Sequence, residues 1–254
     1  MASEARFGYE WEKYSEILPQ YQGQFLNWTN LTPEEVSGKD VLDAGCGMGR
    51  NSYWPLVWGA KSVVAFDNDE HSLAAARRTL ASFPNAAVER YDLSELPWDS
   101  RFDLVLCIGV LHHLRRPRLA LENLVRALRP GGRLILWVYS YEGNEWIVRF
   151  VNPIRIHATS RMPLPLLHTL ACSLAVPLYG AIKSGIAPTP YLKQLAGFSL
   201  RHVTSIVLDQ LIPEVANYWR KEEVAAIITG LRLCEAAVSR PRNGMGWILS
   251  ATKM

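Results

Sequence analysis

Between Lys39 and Ser140, short runs of β-branched and aliphatic residues alternate with longer stretches whose apolar positions recur at helical spacing. The short runs predict strands at VLD (41–43), SVVAFD (62–67), AAVERYD (86–92), FDLVLCIG (102–109) and RLILWVYS (133–140). Two helices stand out between them. One covers Glu70 to Ser82 and is rich in Ala, Leu and Arg. The other covers Leu119 to Leu128, with Leu121, Leu124, Val125 and Leu128 on one face, and is stopped by Arg129-Pro130-Gly131-Gly132. Strands and helices in strict alternation predict a doubly wound parallel sheet.

From Tyr141 to Trp219 the rhythm breaks into a long stretch of Pro, aromatic and apolar residues with scattered Arg and His. It resumes with a helix at Lys221 to Leu231, a strand at Leu233 to Ser239, a turn at PRNGMG and a last strand from Gly246. The expected organisation is an N-terminal helical segment over residues 1–35, a core from 36–140 and 220–254, and a helical insertion over 141–219. Because the insertion leaves the carboxyl end of the fifth strand, where ligands bind in such sheets, it is expected to form a lid.

Composition changes this picture little. The 254 residues are 49% hydrophobic and 20% charged, with a formal net charge of +3. That balance fits a globular chain with a real core and is too mild to imply nucleic acid by itself. Cys46, Cys107, Cys172 and Cys234 lack metal-ligand spacing, so neither a zinc site nor a disulfide framework is expected. The start, MASEARFGYEWEKY, has no basic stretch followed by an apolar run. The most apolar stretch, Leu164 to Ile182, is interrupted by Pro165, His168, Thr169, Pro177 and Gly180. A cytoplasmic protein is the expectation.

The chemistry concentrates in VLDAGCGMGR at 41–50. A strand ending near Asp43 runs into Gly45, Gly47 and Gly49, which lets the backbone turn sharply and approach a ligand at the start of a helix. The GxGxG spacing is one residue shorter than the dinucleotide fingerprint, which favours a nucleoside ligand without a pyrophosphate. Asp67 closes the second strand, where a carboxylate can accept from both ribose hydroxyls. Asp92 closes the third, where it can accept from an adenine amino group.

With VVAFDND, YDLSELPW, FDLVLCIGVLHHL and LRPGGRLIL following in order, the chain resembles the class I S-adenosylmethionine-dependent methyltransferases over roughly Val36 to Ser140. The resemblance implies a Rossmann-like seven-stranded sheet with an antiparallel last strand. It also implies S-adenosyl-L-methionine as cofactor and S-adenosyl-L-homocysteine as product. Asp43, Gly45, Cys46, Gly47 and Gly49 would surround its methionine and ribose, Asp67 and Asn68 its ribose and adenine, and Asp92 and Leu93 the adenine edge. Ile108 would offer its carbonyl to the amino group, and Trp11 of the aromatic N-terminal segment would fold over the cofactor.

Methyl transfer is an in-line displacement that needs alignment and, for a protonated acceptor, a base. His112 and His113, just past the fourth strand, have the right pKa class for that work. Either histidine equally suits a purely structural role. Tyr14, Asp209, Gln210, Tyr218, Arg242 and Asn243 are the candidates for holding an acceptor. The Arg115-Arg116-Pro117-Arg118 run departs from the family's usual acid before proline, which points to an anionic substrate, an anionic lipid headgroup or a solvated patch.

The expected function is methyl transfer to an oxygen, nitrogen or carbon of a small, hydrophobic or anionic molecule under a mostly apolar lid. Peripheral membrane contact stays open. No metal is expected, and no nucleic acid either, for want of a long basic stripe with interleaved aromatics. The alternatives are a nicotinamide-dependent oxidoreductase on the same fold and a non-catalytic cofactor-binding or membrane-surface protein.

Overall fold

The computed structural model describes residues 3–186 and 189–254. Seven strands form one sheet: β1 (Asp40–Ala44), β2 (Ser62–Asp67), β3 (Ala86–Arg90), β4 (Phe102–Ile108), β5 (Leu128–Val138), β6 (Leu233–Ser239) and β7 (Trp247–Lys253). Their order across the sheet is β3-β2-β1-β4-β5-β7-β6. The first five strands pair in parallel, whereas β7 lies antiparallel between β5 and β6. The chain therefore reverses its winding direction between β1 and β4. A parallel sheet opens a crevice for ligands at such a switch, at the strands' carboxyl ends.

Alternation along each strand splits the core in two. Val41, Val63, Ala65, Leu104 and Leu106 point to one face, against Leu73 and Ala76 of α5 (Glu70–Leu80). Leu42, Val64, Phe66, Val105 and Leu134 point to the other, against Leu121 and Leu124 of α6 (Pro117–Ala127). Both faces of the central strands are thus covered, which is why these strands read as near-continuous apolar runs. Three helices precede β1, namely α1 (Ser3–Lys13), α2 (Gln20–Thr29) and α3 (Pro33–Val36), and α4 (Arg50–Val57) follows it.

Between β5 and β6 the chain is helical, with α7 (Asn152–His157), α8 (Leu164–Lys183), α9 (Pro190–Leu195), α10 (Leu200–Leu211) and α11 (Lys221–Ala226). By length and composition α8 could cross a membrane, yet it seats Leu167 and Ala171 against Leu208 and Leu211 of α10. Only 22% of its apolar stretch is buried, and Leu166, Leu174 and Val176 stand exposed.

Three boundaries differ from the sequence reading. β3 ends at Arg90, so Asp92 lies beyond the strand, where its carboxylate accepts from the Ser94 amide at 2.7 Å and caps a turn. β5 starts at Leu128, directly after α6, with the register against β4 shifting between Phe102 and Leu104. α11 stops at Ala226, where the β-branched Ile227-Ile228-Thr229 and Gly230 lead into turns instead of continuing the helix.

Leu121 is fully buried in the second face of the core. Leu121→Ala is expected to lower stability by about 2–4 kcal/mol, the usual cost of a leucine-sized cavity. Urea unfolding checks this, and a loss under ~1 kcal/mol would show that α6 does not clamp the sheet.

Candidate active site

At the carboxyl end of β1 the amides of Gly45 and Cys46 both donate to the carbonyl of Phe66, at 2.9 Å each, which ties the loop to β2. Gly45, Gly47 and Gly49 take φ of 72°, 53° and 82°, the left-handed region that penalises any side chain. At Gly47 the space is closed as well, because an added Cβ would sit 2.9 Å from Nε1 of Trp11. The Gly47 amide donates to Oδ2 of Asp67 at 3.0 Å, and Oδ1 of Asp67 accepts from the amides of Asn68 (2.8 Å) and Asp69 (3.1 Å). Burial pushes the Asp67 carboxyl up, and these three donors pull it back.

Above the loop lies a cavity of about 300 Å³. Its floor holds Gly45, Cys46, Gly47, Asp67, Asn68, Asp92, Leu93 and Ile108, all expected at a cofactor site. Its roof comes from three helices, each presenting residues at helical spacing: Phe7, Glu10 and Trp11 of α1, Gln24 and Trp28 of α2, and His202, Ser205, Ile206 and Asp209 of α10. Close approach of α1 depends on Gly8, whose Cβ would overlap the Asp69 carboxylate that caps α5.

The donor set fits an adenosine-type ligand. Asp67 stands fixed by backbone at the end of β2, and Asp92 has one oxygen engaged by Ser94 and stays ionised, since the Ser94 hydroxyl lowers its pKa. Around the roof, buried polar atoms without a partner remain at Glu10 Oε2, Gln24 Oε1, Trp28 Nε1, Arg50 Nε and His202 Nε2, all on residues of the cavity wall. Buried polar groups normally find partners, so this clustering marks the wall as a binding surface. Among the described residues, no group of three His, Cys, Asp or Glu is placed to hold a metal ion.

The two histidines part company. His112 is fully buried, stacks on Tyr139 with ring centroids 3.7 Å apart, accepts the Tyr139 amide at Nδ1 (3.3 Å), and does not line the cavity. His113 does line it. With the Val215 carbonyl 2.8 Å from its Nδ1, that nitrogen must carry the proton, which leaves Nε2 as a free acceptor. Burial lowers the pKa of His113 to about 4, against a partial opposing effect of the Val215 bond, so it is neutral at pH 7.

Of the other sequence candidates, Trp11, Asp209, Gln210 and Asn243 lie in the wall. Burial raises the Asp209 pKa to about 6. Gln210 donates to the Tyr139 hydroxyl at 3.2 Å. Five candidates lie outside the wall. Asp43 is buried beneath the loop, accepting from the Ser52 hydroxyl at 2.6 Å, with its pKa raised by burial to about 7. Gly49 packs on Leu80 and precedes α4. Tyr14 bonds to Nε2 of His168 at 2.9 Å inside the α8 and α10 packing. Tyr218 stacks behind Tyr139, and Arg242 is held through its backbone by Asn27. The basic run needs no external anion at two of its arginines, because Arg115 pairs with Glu214 and Arg118 with Glu122, each at 3.0 Å. The sequence reading missed Glu10, Trp28, Arg50, Tyr139 and His202. Arg50 had a signal, since it directly follows the last loop glycine.

A family model described as a methyltransferase domain matches residues 41–132. The tRNA U34 carboxymethyltransferase of Idiomarina loihiensis is 34% identical over 128 residues, 48% of this chain and 40% of that protein. That of Methylococcus capsulatus is 38% identical over 125 residues, 47% and 38% of the two chains. The chain therefore spans about two-fifths of the curated relatives it matches. Among solved structures, a possible histamine N-methyltransferase from Thermotoga maritima aligns with a TM-score of 0.59 at 14% identity, covering 99% of this chain and 100% of that one. The 1,6-didemethyltoxoflavin-N1-methyltransferase of Burkholderia thailandensis, solved with S-adenosylhomocysteine, aligns at 0.55 with 18% identity, covering 93% and 79%. These share the fold.

The tRNA relatives overturn the expectation that nucleic acid is excluded. It rested on the lack of a basic run, but surface charge is set by what folding brings together, and a thin scatter of bases without acids escapes a search for dense clusters.

His113 generates a pH prediction. A histidine titrating near 6.5 when unfolded and near 4 when folded contributes stability that is present above pH 6.5 and is lost as pH falls toward 4. Imidazole nitrogen NMR is expected to show the Nδ1–H tautomer at pH 7, neutral down to about 4; titration near 6.5 would refute the buried placement.

Proposed function

We propose that this chain, whose residues 41–132 belong to the methyltransferase-domain family, catalyses S-adenosylmethionine-dependent group transfer to a base of tRNA. The observation that carries the cofactor half is the Asp67 carboxylate, fixed at the end of β2 by the amides of Gly47, Asn68 and Asp69 beside the glycine loop. Its oxygens would accept from the ribose hydroxyls and Asp92 from the adenine amino group, with Leu93 at the adenine edge and the Ile108 carbonyl toward the methionine amino group. Bound there, the cofactor supplies an electrophilic carbon on a sulfonium.

The acceptor half is the wall formed by α1, α10 and β5. Trp137 offers ring surface for a planar group, and Asp209 and Gln210 offer polar contacts to its edge. His113 takes the proton of a protonated acceptor at Nε2. The Val215 carbonyl keeps its tautomer right for that, and its low pKa keeps it free of a proton beforehand. His112, which holds the β5 backbone, is a positioning residue.

Two observations favour tRNA. The relatives matched over this cofactor half are named for it. From Trp146 to Leu208, moreover, the chain carries six Lys or Arg, all exposed but the buried Arg155, and not one Asp or Glu, a bias suited to a polyanion. Exposed Trp146 and Phe150, with Arg149 over the Phe150 ring at 5.4 Å, add the ring and guanidinium surfaces on which unpaired bases stack.

Calorimetry with S-adenosylhomocysteine is expected to show binding that Asp67→Asn weakens about 10- to 100-fold, the loss of charge-assisted hydrogen bonds. Failure of the unaltered chain to bind would remove the whole reading. Incubation of the full chain with bulk tRNA and cofactor labelled on the transferable group is expected to label tRNA. Intact cofactor binding without labelled tRNA would remove the acceptor alone.

A further inference from the structure

The two sides of α8 differ in what they meet. Leu167, Ala171, Ala175 and Ile182 are buried, the first two against α10. On the opposite side Leu166, Thr169, Ser173, Val176 and Gly180 follow one another at steps of three and four residues, which makes them one stripe along the helix, and all five are exposed. Leu166 and Val176 are 56% and 57% exposed, and Leu174 at the edge of the stripe is 46%. At a rise of about 1.5 Å per residue the stripe runs roughly 20 Å. A helix face turned to water ordinarily carries charge, yet no Lys, Arg, Asp or Glu occurs from Met162 to Ile182.

The hydroxyls on the stripe turn back into the helix. Thr169 Oγ1 donates to the Pro165 carbonyl at 2.9 Å, and Ser173 Oγ donates to the Thr169 carbonyl at 3.0 Å. Both donors are therefore satisfied without water, as a surface facing hydrocarbon requires. Charge returns only at the ends of the helix. Arg161 stands exposed just before it, and Lys183 in its last turn lies 5.3 Å from the centroid of the Tyr179 ring. Basic and tyrosine side chains of this kind suit the boundary between acyl chains and headgroups, where the long basic stems reach out to phosphates. The acid-free run from Trp146 to Leu208 places no carboxylate of its own against an anionic surface. RNA is held by charge, hydrogen bonds and stacked rings, and gains nothing from exposed leucine and valine. A second copy of the chain, paired on this face by two-fold symmetry, would set cation against cation.

We propose that the exposed face of α8 is a docking surface for an anionic lipid bilayer. The helix lies in the plane of the interface, with Leu166, Leu174 and Val176 among the acyl chains and Arg161 and Lys183 at the phosphates. It does not span the bilayer, because Leu167 and Ala171 stay packed on α10. Since α10 also lines the cavity, the docked bilayer lies one helix away from the chamber. Nothing in this placement depends on which acceptor the chamber takes.

Sedimentation of the full chain with sucrose-loaded vesicles tests this, using phosphatidylcholine alone and phosphatidylcholine mixed with phosphatidylglycerol. The chain is expected to sediment with the anionic vesicles far more than with the neutral ones. Arg161→Gln together with Lys183→Gln is expected to weaken that binding about 10- to 30-fold. Leu166→Gln together with Val176→Gln is expected to weaken it by about 10-fold or more, and Leu174→Gln carries this arm if the pair does not fold. Val176→Lys separates insertion from simple charge attraction, since it weakens a face that enters hydrocarbon and strengthens one that only adsorbs. Thermal melting, which needs no cofactor, checks that each variant is folded, so the outcome stands apart from the proposed reaction. Absence of binding to anionic vesicles, or tighter binding by Val176→Lys, overturns the proposal. So does a loss of tRNA affinity in the Leu166 and Val176 variant, which would give the face to RNA, or a dimer in sedimentation equilibrium that Val176→Lys dissolves, which would give it to a second copy.

Discussion

The Gly47 amide donates to the Asp67 carboxylate across the gap between β1 and β2, and the geometry of the chamber descends from that contact. The loop can present this amide only with its glycines at positive φ. It is held down by a second tie, from the Gly45 and Cys46 amides to the Phe66 carbonyl. Asp67 is thereby oriented before any ligand arrives, with its charge stabilised by backbone dipoles that cost no reorganisation. The buried Asp43 supports the same loop from below through Ser52, in the first turn of α4 after the glycines. A cavity-lining acid held by backbone amides and a buried acid held by a serine hydroxyl thus stand in neighbouring strands.

What the sequence made legible was the part whose chemistry is local. Glycine spacing, the acid at the end of β2 and the apolar parity of the strands are all written within a few consecutive residues, and the sheet order and loop follow from them. Residues whose environment is set far along the chain escaped. Whether His112 or His113 faces the chamber depends on Val215, about a hundred residues away, and on the stacking of Tyr139. Tyr14 looked like a ligand contact in an aromatic N-terminal segment, but the α8 histidine claimed its hydroxyl. Asp92 was placed on a strand and found on a turn, with the same carboxylate still at the cavity wall.

The helical stretch after β5 shows why local pattern and surface character can disagree. Its bases are too thinly spread to form a motif, so its charge lies in the missing acids. Its apolar residues divide between packing on α10 through Leu167 and Ala171 and exposure at Leu166, Leu174 and Val176. Proximity to the chamber enters mainly through α10, with Tyr191 of α9 beside it. α10 turns His202, Ser205, Ile206 and Asp209 inward and Leu208 and Leu211 toward α8, so one twelve-residue element ties the cavity wall to the outer layer.

The electrostatics of that wall follow from its closure. With α1, α2 and α10 over the loop, His113 and His202 are held neutral, with pKa values near 4 and 3, while Glu10 and Asp209 are pushed upward. Burial is the leading cause in all four, so one enclosure tunes every one of these groups in the chamber wall. Burial keeps His113 neutral but weakens it as a base, so it takes a proton only from a group held in direct contact with Nε2. Gly8 and Gly47, which admit α1 to within contact of Asp69 and of the loop, are therefore as much a condition of the proposed proton transfer as the histidine itself.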